Sequence, residues 1–242
     1  MLCLTQTDPL MKLNNPFIPT RLIALLAILF LVSCKEADGP PAEGSGRSAI
    51  YFDYQVTGEE GRDDVTCLMR FQEGDAEGDA VLLPPGAVEM DGQPVSPDSA
   101  RITGVYYEVR RPLAEFAGVH RISFTDSKKN RIEQEFTFSP FTLKTDLPAR
   151  ISRRNFVLDL DGVEKGTTIR LVLTDTSFES QDINKAAQFS GPIRLDPFIL
   201  NKLVNGPIIL IINSEEERRV MNKARGRISI SYGLQREFEL VD

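Results

Sequence analysis

The chain has 242 residues, with 28 Lys and Arg against 35 Asp and Glu, a formal net charge of −7. That acidic balance argues against nucleic-acid binding, which rests on phosphate neutralisation by Lys and Arg. It also gives no help in docking to anionic lipid, and three cysteines with no tryptophan leave no disulfide-rich scaffold to build.

In chain order, the N-terminal segment comes first. Lys12 and Arg21 form a basic region ahead of Leu22 to Val32 (LIALLAILFLV), an unbroken apolar run. A membrane-spanning helix needs about 20 apolar residues to cross a core about 30 Å thick. This run is roughly half that, the length of a signal-peptide apolar region. Met11-Lys12 makes a more conventional signal-peptide start than Met1. The run closes on Leu31, Val32, Ser33 and Cys34, which resembles the lipobox of bacterial lipoproteins: a branched apolar residue, a tolerant position, a small residue and a cysteine.

The resemblance covers residues 11 to 38. It implies cleavage before Cys34, lipid on the Cys34 thiol, and a lipid bilayer as the chain's first partner. Each buried CH₂ adds about 0.8 kcal/mol of membrane affinity, and more than one acyl chain makes such anchoring stable. Lys35-Glu36-Ala37-Asp38 follows and resembles the short Lys-plus-acidic signal with which Bacteroidota send lipoproteins to the outer surface. The expected location is therefore the cell envelope, at the outer membrane. Loss of residues 1–33 removes Lys12, Arg21 and Asp8, a net +1, and takes the mature charge from −7 to −8. Cys3 goes with the signal and Cys34 is acylated, so Cys67 is left as a lone thiol.

Residues 34–47 include Gly39 to Arg47 (GPPAEGSGR) and read as a flexible lipidated tether. A period of two then begins. Ile50, Phe52, Tyr54 and Val56 alternate with polar positions, as do Val65, Cys67, Met69 and Phe71, which is what half-buried strands require. Further short strands are expected at 80–83, 88–90, 105–109, 119–125 and 132–138, divided by turns such as Pro84-Pro85-Gly86 and Asp91-Gly92. Residues 140–154 break the rhythm and are read as a linker. Strands resume at 156–160, 167–174, 192–195, 208–212, 227–232 and 236–241. Ile208 to Ile212 is apolar on both faces and should be a central, covered strand. A helix is expected over Phe198 to Val204, capped by Asp196, with Pro197 in its first turn and Asn205-Gly206 at its end.

The fold class is all-β: two tandem antiparallel β-sandwiches at 48–139 and 155–242. Arg121 to Phe124 with Glu135 to Phe138, and Arg227 to Ile230 with Glu237 to Leu240, read as the closing hairpin of each. The first of these hairpins resembles the last two strands of immunoglobulin-like modules, which implies that fold without the core disulfide of antibody domains.

No HExxH, CxxC or GxSxG occurs, so no zinc site or nucleophile elbow is legible, and neither an enzyme nor a cofactor is expected. His120, in phase with Ile122 and Phe124, should sit at a core edge with a hydrogen-bond partner. Cys67, mid-strand between Val65 and Met69, should be a small buried hydrophobe. The loop Glu73 to Asp79 places Asp75, Glu77 and Asp79 at alternate positions, a weak calcium candidate set against a plain solvated turn. Glu215 to Arg219 (EEERR) and Lys223 to Arg227 should extend a hairpin into solvent, or meet an acidic partner. Tyr51 and Tyr106, on the outward phase of their strands, are weak ligand candidates that could stack on sugars or pack across the sheet. The expected function is a non-catalytic binding or structural lipoprotein working through an envelope protein partner. The alternative is a carbohydrate-capture lipoprotein serving an outer-membrane uptake system.

Overall fold

The computed structural model describes residues 49–242 apart from 103, 145, 178–181 and 221–223. The signal segment, Leu31 to Cys34 and the tether lie outside the described residues. The described residues belong to one compact unit, and no helix among them is long and apolar enough to cross a membrane.

The first half runs β1 (Ile50–Glu59), β2 (Asp64–Glu73), β3 (Val88–Met90), β4 (Gln93–Pro94), β5 (Pro97–Ala100), β6 (Gly104–Pro112), β7 (Gly118–Thr125) and β8 (Arg131–Phe138). It makes two layers, β1-β2-β6-β5 and β4-β3-β7-β8. The period-two pattern fixes which side is buried. Phe52, Tyr54 and Val56 of β1 and Val65, Cys67, Met69 and Phe71 of β2 face Val88, Met90, Ile122, Phe124, Phe136 and Phe138. Aromatic rings carry the contact between layers: Phe124 packs at 5.4 Å from Phe52 and 5.6 Å from Phe71.

The second half runs β9 (Thr142–Leu143), β10 (Arg150–Ser152), β11 (Val157–Leu158), β12 (Leu160–Asp161), β13 (Thr168–Asp175), β14 (Ile183–Gln188), β15 (Ile193–Arg194), helix α1 (Pro197–Leu200), β16 (Gly206–Arg219) and β17 (Arg225–Val241). Its main sheet is β14-β13-β16-β17, with β10 on the far side of β17. The facing layer is broken into the β11–β15 and β12–β9 pairs and α1. Phe156, Leu158, Leu160, Leu195, Leu200 and Leu203 close over Leu171, Leu173, Ile208, Leu210, Phe238 and Leu240. The expectation of an all-β chain of two tandem sandwich modules holds.

The join between the modules is a long hairpin. β16 and β17 outrun their own module, and the first half of β17 pairs in parallel with β1, from Tyr51↔Arg225 to Glu59↔Gly233. One nine-stranded sheet, β14-β13-β16-β17-β1-β2-β6-β5 with β10 beside β17, therefore spans both modules. The segment 140–154 is correspondingly not a free linker. β9 pairs with β12 and β10 with the end of β17, Phe141 stacks edge-on to Tyr232 at 5.4 Å, and Phe138 does so at 6.0 Å. Residues 225–233 lie within the span assigned to the second module and complete the sheet of the first.

Other expectations change in detail. Residues 227–241 are one strand, not a hairpin, because Gly233 is extended and takes its place opposite Asn213; the closing hairpin is β16–β17. Residues 80–83 hold only a single bridge, Gln72↔Ala80. The helix stops at Leu200, although Asp196 caps it as expected by accepting from the Phe198 N–H at 2.8 Å. Arg153 then donates to the Leu200 and Leu203 carbonyls just past the helix end, where Leu200 also accepts from the Leu203 N–H at 3.1 Å. Ile208 to Ile212 is central but covered on one face only, since Ile209 is 41% exposed.

Candidate binding face

The alternation that buries Phe52 and Tyr54 turns Tyr51, Asp53 and Gln55 to the outer face of the shared sheet. The neighbours follow from register. Asp53 lies opposite Arg227 on one side and Arg70 on the other, while Tyr51 lies opposite Arg225 and Gln72. Arg227 in turn lies opposite Arg219. A row Arg219–Arg227–Asp53–Arg70 thus crosses four strands, with Tyr51 and Arg225 one step along it.

Asp53 is the pivot. It is 5% exposed, beneath the arginines that flank it. Arg227 Nε donates to its Oδ1 at 2.9 Å, Arg70 Nη1 stands 3.8 Å from Oδ2, and Gln55 Nε2 donates to Oδ2 at 3.1 Å. The hydrogen bond to the Asp53 carboxylate raises Arg227 above the ordinary guanidinium range. A buried carboxylate held by two guanidinium groups is satisfied, but one carboxylate offsets only one of the two charges. With Arg219 and Arg225 exposed beside it and Glu217 the nearest further carboxylate on β16, this corner of an acidic protein is locally cationic.

Tyr106 reaches the same face from β6. It lies opposite Asp98 of β5, to whose Oδ2 its hydroxyl donates at 3.2 Å. Tyr51 and Tyr106 are on strands separated by β2, hence about 10 Å apart across the sheet. They share the face without converging, and Arg70 occupies the strand between them. Such a surface offers two flat rings and several planar cations, groups suited to carboxylates and extended chains.

The remaining sequence candidates lie elsewhere. Asp75, Glu77 and Asp79 are exposed on a turn that closes on itself. Asp75 Oδ1 accepts from the Glu77 N–H at 3.1 Å, Gln72 Nε2 donates to the Ala76 carbonyl at 2.6 Å, and the Glu73 N–H bonds the Asp79 carbonyl at 3.0 Å. Among the described residues no group of three or more His, Cys, Asp or Glu is placed to hold a metal ion.

His120 sits at the core edge with its expected partners. Its Nδ1 is 2.8 Å from Asp91 Oδ2, its Nε2 is 2.8 Å from the Phe116 carbonyl, and the ring stacks on Phe116 at 3.9 Å. A carbonyl only accepts, so Nε2 carries a proton. Cys67 is buried, and burial pushes its thiol up to about 12. Glu215 to Arg219 continue β16 as the expected hairpin extension. Cys34 and its lipobox lie outside the described residues.

Sequence reasoning found Tyr51 and Tyr106 but not the arginine row. Asp53 on the outward phase was the available signal. Its partner Arg227 is 174 residues away and joins it only through the parallel β1–β17 pairing.

No family model matches the chain, and no curated protein matches it. Among solved structures it is similar to the crystal structure of DIP-gamma IG1+IG2. That likeness covers 79% of this chain and 95% of that one, at 9% sequence identity and a TM-score of 0.23.

Proposed function

We propose that this chain is a lipid-anchored, non-catalytic binding module of the bacterial cell envelope, tethered through Cys34 and working through a protein partner. The observation that carries the protein-binding half of this reading is the outer face at Tyr51, Arg70, Arg225 and Arg227. It is an outer sheet surface whose local charge is opposite to that of the protein as a whole. An acidic segment of a partner, laid across the four strands, would meet guanidinium groups and the Tyr51 ring together. The anchor rests on Leu31 to Cys34 and the apolar run before them. Spacing of the two tyrosines across an intervening arginine strand suits an extended chain better than one sugar ring sandwiched between them.

The test is recovery of partners from cross-linked cells with the native lipoprotein as bait, beside Cys34→Ala and a face variant, Tyr51→Ala with Arg225→Glu. Both face residues lie outside the core. The reading expects one envelope protein recovered with the wild type, lost with Cys34→Ala and strongly depleted with the face variant. Recovery unchanged by the face variant would refute this face as the contact. If nothing is enriched, the protein-partner reading fails and a glycan array becomes the next experiment.

A further inference from the structure

Sheet edges expose unpaired backbone groups and are normally guarded by proline, charge, shortness or a covering group. Three of the edges in this fold follow that rule. β4 is two residues long and contains Pro94, β5 begins at Pro97, and on β8 the Glu135 carbonyl is taken by Arg218 reaching from β16 at 2.8 Å. β14 is different. Among the described residues it ends the nine-stranded sheet, pairs only with β13, and exposes five of its six residues, Asn184 to Gln188. That exposure on both faces is also why no period-two pattern marks it in the sequence.

The direction of its backbone groups follows from the pairing. The Phe189 N–H bonds the Thr167 carbonyl at 2.7 Å, and the Phe189 carbonyl accepts from the Gly166 N–H at 2.9 Å. Antiparallel strands alternate residues that bond a given neighbour with residues that do not. Counting back from Phe189, positions 187, 185 and 183 face β13, and the N–H and C=O groups of Asn184, Ala186 and Gln188 point to the open side.

We propose that β14 pairs with β14 of a second copy of this chain, antiparallel about a two-fold axis at Ala186. The strand is complementary to itself in this register. Ala186 meets Ala186, so the backbones approach with no side chain in the way. Asn184 meets Gln188, amide against amide. Lys185, the only charge in the strand, meets Ala187, so no like charges lie directly opposite. The contact is isologous and closed by its own symmetry, and it fuses two nine-stranded sheets into one. A foreign strand would need none of this internal matching, and the matching is the reason for choosing a second copy.

Disulfide trapping on the full chain in detergent reads the register directly. Residues opposed across antiparallel strands have Cα atoms about 4.5–5.5 Å apart, within disulfide reach. Under mild oxidation Ala186→Cys should cross-link to itself. Lys185→Cys alone and Ala187→Cys alone should not exceed the wild-type background, whereas a mixture of the two should yield the heterodimer. In sedimentation the wild type should self-associate and Ala186→Pro should not, because the N–H it removes points away from β13 and the fold survives. Failure of Ala186→Cys to cross-link, equal cross-linking by all three cysteine variants, or self-association untouched by Ala186→Pro would each overturn the proposal.

Discussion

Gly226 is where β1 docks on the shared hairpin, and replacing it with alanine tests that docking. Gly226 has φ +149° and lies opposite Phe52 in the parallel register. An added Cβ would stand 2.1 Å from the Phe52 carbonyl oxygen and 2.8 Å from its backbone nitrogen and its Cβ. These contacts are with backbone and Cβ atoms, which no rotamer change can move, so β1 must be displaced. Holding a non-glycine residue in this region of φ costs about 1–3 kcal/mol. Losing the one or two ladder hydrogen bonds nearest the clash adds about 1 kcal/mol each. The sum is about 2–5 kcal/mol, a sizeable part of the 5–15 kcal/mol typical of a domain.

Gly191 supplies the control. It has φ +135° but nothing within 4 Å of its would-be Cβ, so Gly191→Ala carries the backbone term alone. Urea unfolding followed by circular dichroism should place Gly226→Ala about 1–2 kcal/mol below Gly191→Ala, read as a shift in midpoint at constant slope. Agreement of the two variants within about 0.5 kcal/mol would refute the parallel docking of β1 on β17.

Three further outcomes follow from the same geometry. Arg153 ties its segment to the end of α1 through the Leu200 and Leu203 carbonyls and Asn205, so Arg153→Ala should cost about 1–2 kcal/mol in the same assay, chiefly by taking the side-chain donor from the Leu203 carbonyl, since Leu200 keeps the Leu203 N–H. The hydrogen-bonded Arg236 guanidinium beside Glu60 holds its carboxyl below the ordinary value of 4.5. A lowered folded pKa stabilises above the unfolded value and loses that stability as pH falls through the folded one. Glu60→Gln should therefore lower stability at neutral pH and flatten the acid limb below about pH 4.5; an unchanged limb would exclude the pair as a contributor. Cys67 should stay unreactive to a thiol reagent at neutral pH in the native chain and become reactive on unfolding, whereas rapid native labelling would contradict its burial.

The local half of this fold is legible in the sequence. β1, β2 and β7 show their buried face through alternating Phe, Tyr, Val and Ile, and Asp196-Pro197 marks the start of α1, because strand pleat and helix caps are read within a few residues. What stays hidden is long-range. Nothing near Tyr51 announces Arg225, and a parallel pair between the first and last strands leaves no local trace. Gly233 reads as a turn residue, yet it is extended in the middle of β17, where Asn213 Oδ1 would crowd any Cβ. β14, exposed on both faces, has no apolar period to detect. The binding face divides in the same way: its tyrosines follow from strand phase, while the arginines that surround them follow from register.

Metabolic labelling with a clickable palmitate is the sharpest test of the proposed lipid anchor at Cys34. The wild-type chain, isolated from cells and partitioned in detergent, should carry the label and enter the detergent phase, and Cys34→Ala should lose both. An unlabelled wild-type chain whose mature N-terminus lies anywhere but Cys34 would contradict the account.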